Sequence, residues 1–119
     1  MIFDPAHPPK GTVRDWLDAR ATADGIAVVF PETSETLTWR SLRDDVRDMA
    51  QKMAARGIDK GESVAIIHPN GREGLVATYA TLYGRFRATM INLAAGPDAI
   101  AYALDHSGAR FAIVHPSQR

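Results

Sequence analysis

Histidines, serines, clustered carboxylates and one glycine-bearing loop are the residues of this chain with chemistry to offer. The four histidines, His7, His68, His106 and His115, are spread so that no two share a helix face at i, i+4, and none has a carboxylate at metal-ligand spacing. That spacing predicts no metal site. His68 ends an apolar β-type run, which is where doubly wound sheets place ligands, although a histidine bonded to a loop carbonyl explains the same position. Directly after it runs His-Pro-Asn-Gly-Arg-Glu-Gly, residues 68–74, between a strand pattern and a helix pattern. Free amides at a helix start can hold phosphate, yet this loop has neither Gly-x-Gly-x-x-Gly spacing nor a Gly-Lys-Ser/Thr ending, so a plain turn is the simpler reading. No Gly-x-Ser-x-Gly elbow surrounds any serine. Asp44, Asp45 and Asp48 lie among Arg43, Arg47 and Lys52, as on a solvated charged helix face. Residue types and spacing assign no catalytic, cofactor-binding or metal-ligating residue.

The elements that would position such residues are legible. Pro5, Pro8, Pro9 and Gly11 make residues 1–11 an extended lead-in. Thr12 caps a first helix, with Asp15 three positions on and Val13, Trp16, Leu17 and Arg20 near one face, and Gly25 stops it. Ile26 to Phe30 and Thr36 to Thr38, joined by a polar turn, read as a β-hairpin. Thr38 then caps a helix to Arg56 whose Leu42, Val46, Met49 and Met53 form an apolar stripe, and Gly57 ends it. Ser63 to His68 is a strand buried on both faces. Arg72 to Phe86 is a helix whose apolar side chains fill roughly 160°, wider than one sheet face covers. Ala88 to Leu93, a helix from Pro97 carrying Ile100, Ala103 and Leu104, and Arg110 to Val114 complete the order. Strand, helix, strand, helix, strand implies an α/β fold of parallel β-α-β units, preceded by a helix and a short β-hairpin.

The 119 residues suit a single core, and 45% hydrophobic with 24% charged residues excludes global disorder. Fourteen basic and fourteen acidic side chains cancel, so no basic field invites nucleic acid or anionic lipid. The absence of cysteine excludes disulfides and thiol chemistry. No apolar run approaches the ~20 residues of a transmembrane helix, and the opening MIFDPAHPPKG lacks signal-peptide character, so a cytoplasmic location is expected.

Several segments, in order, resemble the beginning of the acyl-CoA synthetase, or adenylate-forming (AMP-binding), superfamily. Thr36 to Leu42, TLTWRSL, is similar to the family's hairpin end and capped helix. GIDKGESVAI, from Gly57 to Ile66, looks like its Gly-hydrophobic-x-Lys-Gly-acidic-x-Val-Ala-hydrophobic run. Pro69-Asn70 follows, and YALDHSGAR, from Tyr102 to Arg110, matches Tyr-x-Leu-x-x-Ser-x-Ala-Arg. Three positions depart from the pattern: Ser41 where many relatives have Glu, Arg87 where Gly commonly precedes Ala, and Asn92 where Pro commonly precedes Leu.

The resemblance implies a ligase that activates a carboxylic acid, by default a fatty acid, with ATP and passes the acyl group to coenzyme A. It implies ATP, magnesium and coenzyme A for the full enzyme and none for these residues, because the Ser/Thr/Gly-rich phosphate loop and the later catalytic segments are not among them. Residues 12–119 would then be the N-terminal portion of the large domain, inactive alone, with the remainder of its own polypeptide as partner. A noncatalytic interaction module, or a small phosphate-ligand binder using residues 68–74, are the other readings. The wide apolar arc and an uncovered last strand also predict self-association, with Val76, Ala80 and Tyr83 as contacts.

Overall fold

A computed structural model describes residues 11–115; the expected lead-in, residues 1–11, lies outside them except for Gly11. Helix α1 spans Val13–Arg20, and the hairpin strands β1 and β2 span Ile26–Phe30 and Glu35–Thr38. Helix α2, Trp39–Ala55, leads to strand β3, Ser63–Ile67, and helix α3, Arg72–Tyr83. Strand β4, Arg87–Met90, a 3-10 turn at Leu93–Ala95, helix α4, Pro97–Ser107, and strand β5, Phe111–Val114, follow.

Local chemistry sets the element starts. At α1 the Thr12 hydroxyl accepts from the Asp15 amide at 3.3 Å while the Asp15 carboxylate accepts from the Thr12 amide at 3.0 Å, a complete capping box. At α2 the Thr38 hydroxyl accepts from the Ser41 amide at 3.1 Å and donates to the Ser41 hydroxyl at 3.0 Å. Ser41 thus bonds the capping hydroxyl rather than the Thr38 amide, so α2 has a single-sided cap where α1 has a capping box. Thr38→Ala should cost about 1 kcal/mol in a urea melt; an unchanged midpoint would place the start of α2 elsewhere.

Strands β3, β4 and β5 form a parallel sheet in the order β4-β3-β5, with Val64 opposite both Ala88 and Phe111. Central β3 is buried along its whole length because both faces are covered. Val64 joins the larger core, where Leu17, Leu37, Leu42, Val46, Met53, Ala80, Tyr83 and Phe86 gather beneath α1, α2, α3 and the hairpin. Ala65 and Ile67 point to the other face, against Ile91 and half-buried Ile100, Ala103 and Leu104 of α4. This is the expected α/β architecture, with α4 on the opposite side of the sheet from the other three helices.

Three boundaries and one core position differ most from the sequence reading. α1 ends at Arg20, not Gly25, since residues 21–25 turn back into the hairpin. α3 ends at Tyr83, not Phe86: Arg85 takes a left-handed φ of 64°, and the chain reverses so that Phe86 folds into the core beside the helix end. β4 stops at Met90, because the Asn92 carboxamide accepts from the Ala94 amide at 2.9 Å and starts the 3-10 turn. In the stripe of α2, Met49 is only half-buried and Ala50 takes a fully buried place.

The expected intermolecular contacts also need correction. Ala80 and Tyr83 are 0% and 5% exposed, shut inside this chain by α1 and α2. The Tyr83 hydroxyl donates to Asp18 at 2.8 Å, and Arg14 of α1 lies over its ring and donates to its carbonyl at 3.1 Å. The wide arc of α3 is answered by two helices as well as the sheet, so these two residues cannot meet another copy.

Candidate functional site

The site is built at the carboxyl ends of β3 and β5. In the order β4-β3-β5 the chain leaves β3 toward β4 through α3 on one face and returns past β3 to β5 through α4 on the other. The connections therefore diverge between β3 and β5, the topological switch point at which open parallel sheets bind ligands. His68 and His115 each stand one residue beyond these strands. The register pairs Ile67 with Val114, and the His115 amide donates to the Ile67 carbonyl at 3.1 Å, which sets the two histidines side by side. Their rings meet edge to face, centroids 5.2 Å apart and planes at 86°.

A cleft of about 550 Å³ opens here, lined by Glu35, His68, Pro69, Asn70, Gly71, Arg72, Glu73, Gly74 and His115. A neighbouring groove of about 570 Å³ shares residues 68–71 and has mainly apolar walls, including Val28, Phe30, Ile66, Leu75, Tyr79 and Met90. Between the sheet and α3, Gly71 has φ 146°, a backbone that side chains other than hydrogen rarely adopt. Gly74 has another role. A Cβ there would lie 2.7 Å from the Pro69 carbonyl oxygen and 3.4 Å from the His68 Cβ, so its bare Cα lets the first turn of α3 close on the loop.

Arg72 is the cation nearest this opening, and it is already engaged. Its guanidinium donates to Glu35 of β2 and, at 3.0 Å, to Asp45 of α2; the Glu35 bond first and the Asp45 bond second raise its pKa further above the ordinary arginine value. It ties hairpin, α2 and α3 together at the rim. The uncapped start of α3 also carries Glu73, whose charge occupies the favourable end of the helix dipole and repels a phosphate.

These residues do not fit a triphosphate or its magnesium. Both need several uncommitted donors or carboxylates converging on one point, and among the described residues no three His, Cys, Asp or Glu side chains do so.

Of the residues singled out in the sequence, His68 is at the cleft. Asp44 and Asp48 face solvent in ion pairs with Arg43, Arg47 and Lys52, while Asp45 holds Arg72. His106 stacks on Tyr102 along α4. Arg87 is exposed at the start of edge strand β4, opposite Ser63 and so at the far end of the sheet from the cleft. The neighbours missed by spacing along the chain are His115 and Glu35. The first was discoverable from two apolar runs each ending in histidine.

The family profile described as AMP-binding enzyme matches residues 16–119. The chain is 28% identical over 89 residues to sulfoacetate–CoA ligase from Cupriavidus necator, covering 75% of this chain and 18% of that protein. It is 28% identical over 105 residues to 2-succinylbenzoate–CoA ligase from Bacillus subtilis, covering 87% and 21%. Its fold is similar to O-succinylbenzoate coenzyme A synthetase from Bacillus subtilis, solved in complex with ATP and magnesium ion, with a TM-score of 0.78 at 27% identity over 86% of this chain and 28% of that one. The chain thus spans about a fifth of the length of the curated relatives it matches.

Proposed function

From the premise that the chain belongs to the AMP-binding enzyme family, we propose that it is the N-terminal portion of the large domain of an acid–thiol ligase. In that reaction a substrate carboxylate oxygen attacks the α-phosphorus of ATP, pyrophosphate leaves, and a coenzyme A thiol then displaces AMP from the acyl adenylate. The observation that carries this reading is the family match along residues 16–119, which takes in the whole parallel sheet, α2, α3, α4 and most of α1. The substrate class is a carboxylic acid. A fatty acid is the member to try first, beside the sulfonated and aryl acids named for the relatives.

Within such an enzyme these residues act as scaffold. Residues 12–119 hold the switch-point cleft and the apolar groove in place, the catalytic and cofactor-binding groups come from other residues, and the reaction belongs in the cytoplasm. No helix among the described residues is long and apolar enough to cross a membrane. The 119-residue chain should therefore give no carboxylate-dependent ATP–pyrophosphate exchange, whereas the product of its full reading frame should. Exchange by the purified chain would overturn the proposal, and a stop codon directly after Arg119 would favour a noncatalytic interaction module instead. The phosphate-binder alternative is disfavoured by Glu73 and by the engaged Arg72.

We also propose self-association of the chain through the outer edge of β5, whose only strand partner among the described residues is β3. Sedimentation should show a dimer or larger species at micromolar concentration; a clean monomer at high concentration would refute it.

A further inference from the structure

We propose that His68 and His115 together form a binding site for a divalent transition-metal ion of borderline softness, with Cu²⁺ held most tightly. Parallel pairing fixes the two residues: each is one position past an in-register pair, and the His115 amide is bonded to the Ile67 carbonyl. Neighbouring side chains on adjacent strands then emerge on the same face.

Ring spacing is compatible with a shared ion. An imidazole nitrogen binds such an ion at about 2.0–2.1 Å, and the nitrogen lies about 1.1 Å from its own ring centre, so each centroid sits about 3.2 Å from the metal. Two ligands then have centroids about 4.5 Å apart at the right angle of tetragonal Cu²⁺ and about 5.2 Å apart at the tetrahedral angle of Zn²⁺. The rings of His68 and His115 are 5.2 Å apart. Their planes stand at 86°, so sharing an ion requires a side-chain rotation that aims one nitrogen of each ring at a common point.

The surroundings suit an ion with an incomplete protein shell. The pair opens into the switch-point cleft beside Asn70 and Glu73, and no third His, Cys, Asp or Glu of the described residues converges on it. Water completes the coordination, and affinity follows the order in which Cu²⁺ exceeds Ni²⁺ and Zn²⁺. Helical i, i+4 spacing does not reveal such a site, because its two ligands come from different strands.

The test uses Cu²⁺ alone as probe, added to the 119-residue chain, with calorimetry for stoichiometry and electron paramagnetic resonance for the ligands. One Cu²⁺ should bind with hyperfine structure from two imidazole nitrogens. Loss of an outer-shell partner already weakens metal sites roughly 10- to 100-fold, so His68→Ala and His115→Ala should each lower affinity at least about tenfold. His7→Ala and His106→Ala should leave it unchanged. Should a variant fail to fold by circular dichroism, Zn²⁺ titration of the unaltered chain gives a second reading, in which the nitrogen resonances of His68 and His115 shift together. Absence of Cu²⁺ binding, equal binding after both substitutions, or a Zn²⁺ response confined to His7 or His106 would overturn the assignment.

Discussion

Leu42→Ala should lower the stability of this chain by roughly 2–5 kcal/mol, whereas Met49→Ala, on the same stripe of α2, should cost only about 1 kcal/mol. A helical wheel puts both near the centre of the apolar face, so pattern alone ranks them equally. Their neighbours differ. Leu42 is 2% exposed and sits in the larger core with Leu37, Val46 and Tyr83, so removing its side chain leaves a cavity that backbone on several sides keeps open. Met49 is half-buried over β5, lining the rim near Ile113, where no further strand among the described residues covers the sheet. There its truncation exposes atoms to water that already reaches them. Since a domain of this size is stable by about 5–15 kcal/mol, the Leu42 change removes a large fraction of the total. Urea melts of the two variants decide the matter, and equal midpoint shifts would mean that Met49 is covered after all.

The starts of elements were legible because they are written in one or two side chains. Thr12 with Asp15, Thr38, and Pro97 at the first turn of α4 each act within four residues of themselves. Gly57, with φ of 94°, marks a helix end for the same local reason. Where a boundary depended on distant packing, reading the sequence ran long. The apolar Phe86 prolongs the pattern of α3, yet it reaches the core by a reversal at Gly84 and Arg85, and a left-handed arginine has no propensity signal. Ile91 likewise prolongs β4 by composition, while the carboxamide of Asn92 turns the backbone away.

The candidate site was half legible for a related reason. His68 could be placed at a strand end from its own segment, but its companion His115 lies 47 positions further along the chain, and only strand order brings them together. Arg72 reads as an exposed cation beside a glycine until Glu35 and Asp45 arrive from the hairpin and α2. Loop charge estimated from residues 68–74 therefore overstates the pull on an anion, since partners outside the loop have already neutralised it.

Gly74→Ala should destabilise the chain by about 2 kcal/mol, although helix propensity predicts the opposite sign. Gly74 lies in the first turn of α3, where alanine would ordinarily improve an α-helix by about 1 kcal/mol. The new Cβ, however, would lie 2.7 Å from the Pro69 carbonyl oxygen, well inside contact distance, and the atom it meets is backbone. Relief requires moving the loop or opening the first turn. Pro69 has a fixed φ, which resists the former, and the Leu75 amide bonded to the Gly71 carbonyl at 3.0 Å resists the latter. Strain of this kind costs roughly 1–3 kcal/mol, and its upper part is the relevant range when backbone meets backbone, so it exceeds the propensity gain. The same Cβ would stand 3.4 Å from that of His68, so the change should also disturb the imidazole resonances at the cleft while leaving that of His106 in place. A urea melt in which Gly74→Ala is more stable than the unaltered chain would show that α3 does not close on the loop as described, and that the cleft behind it is wider than its lining residues make it.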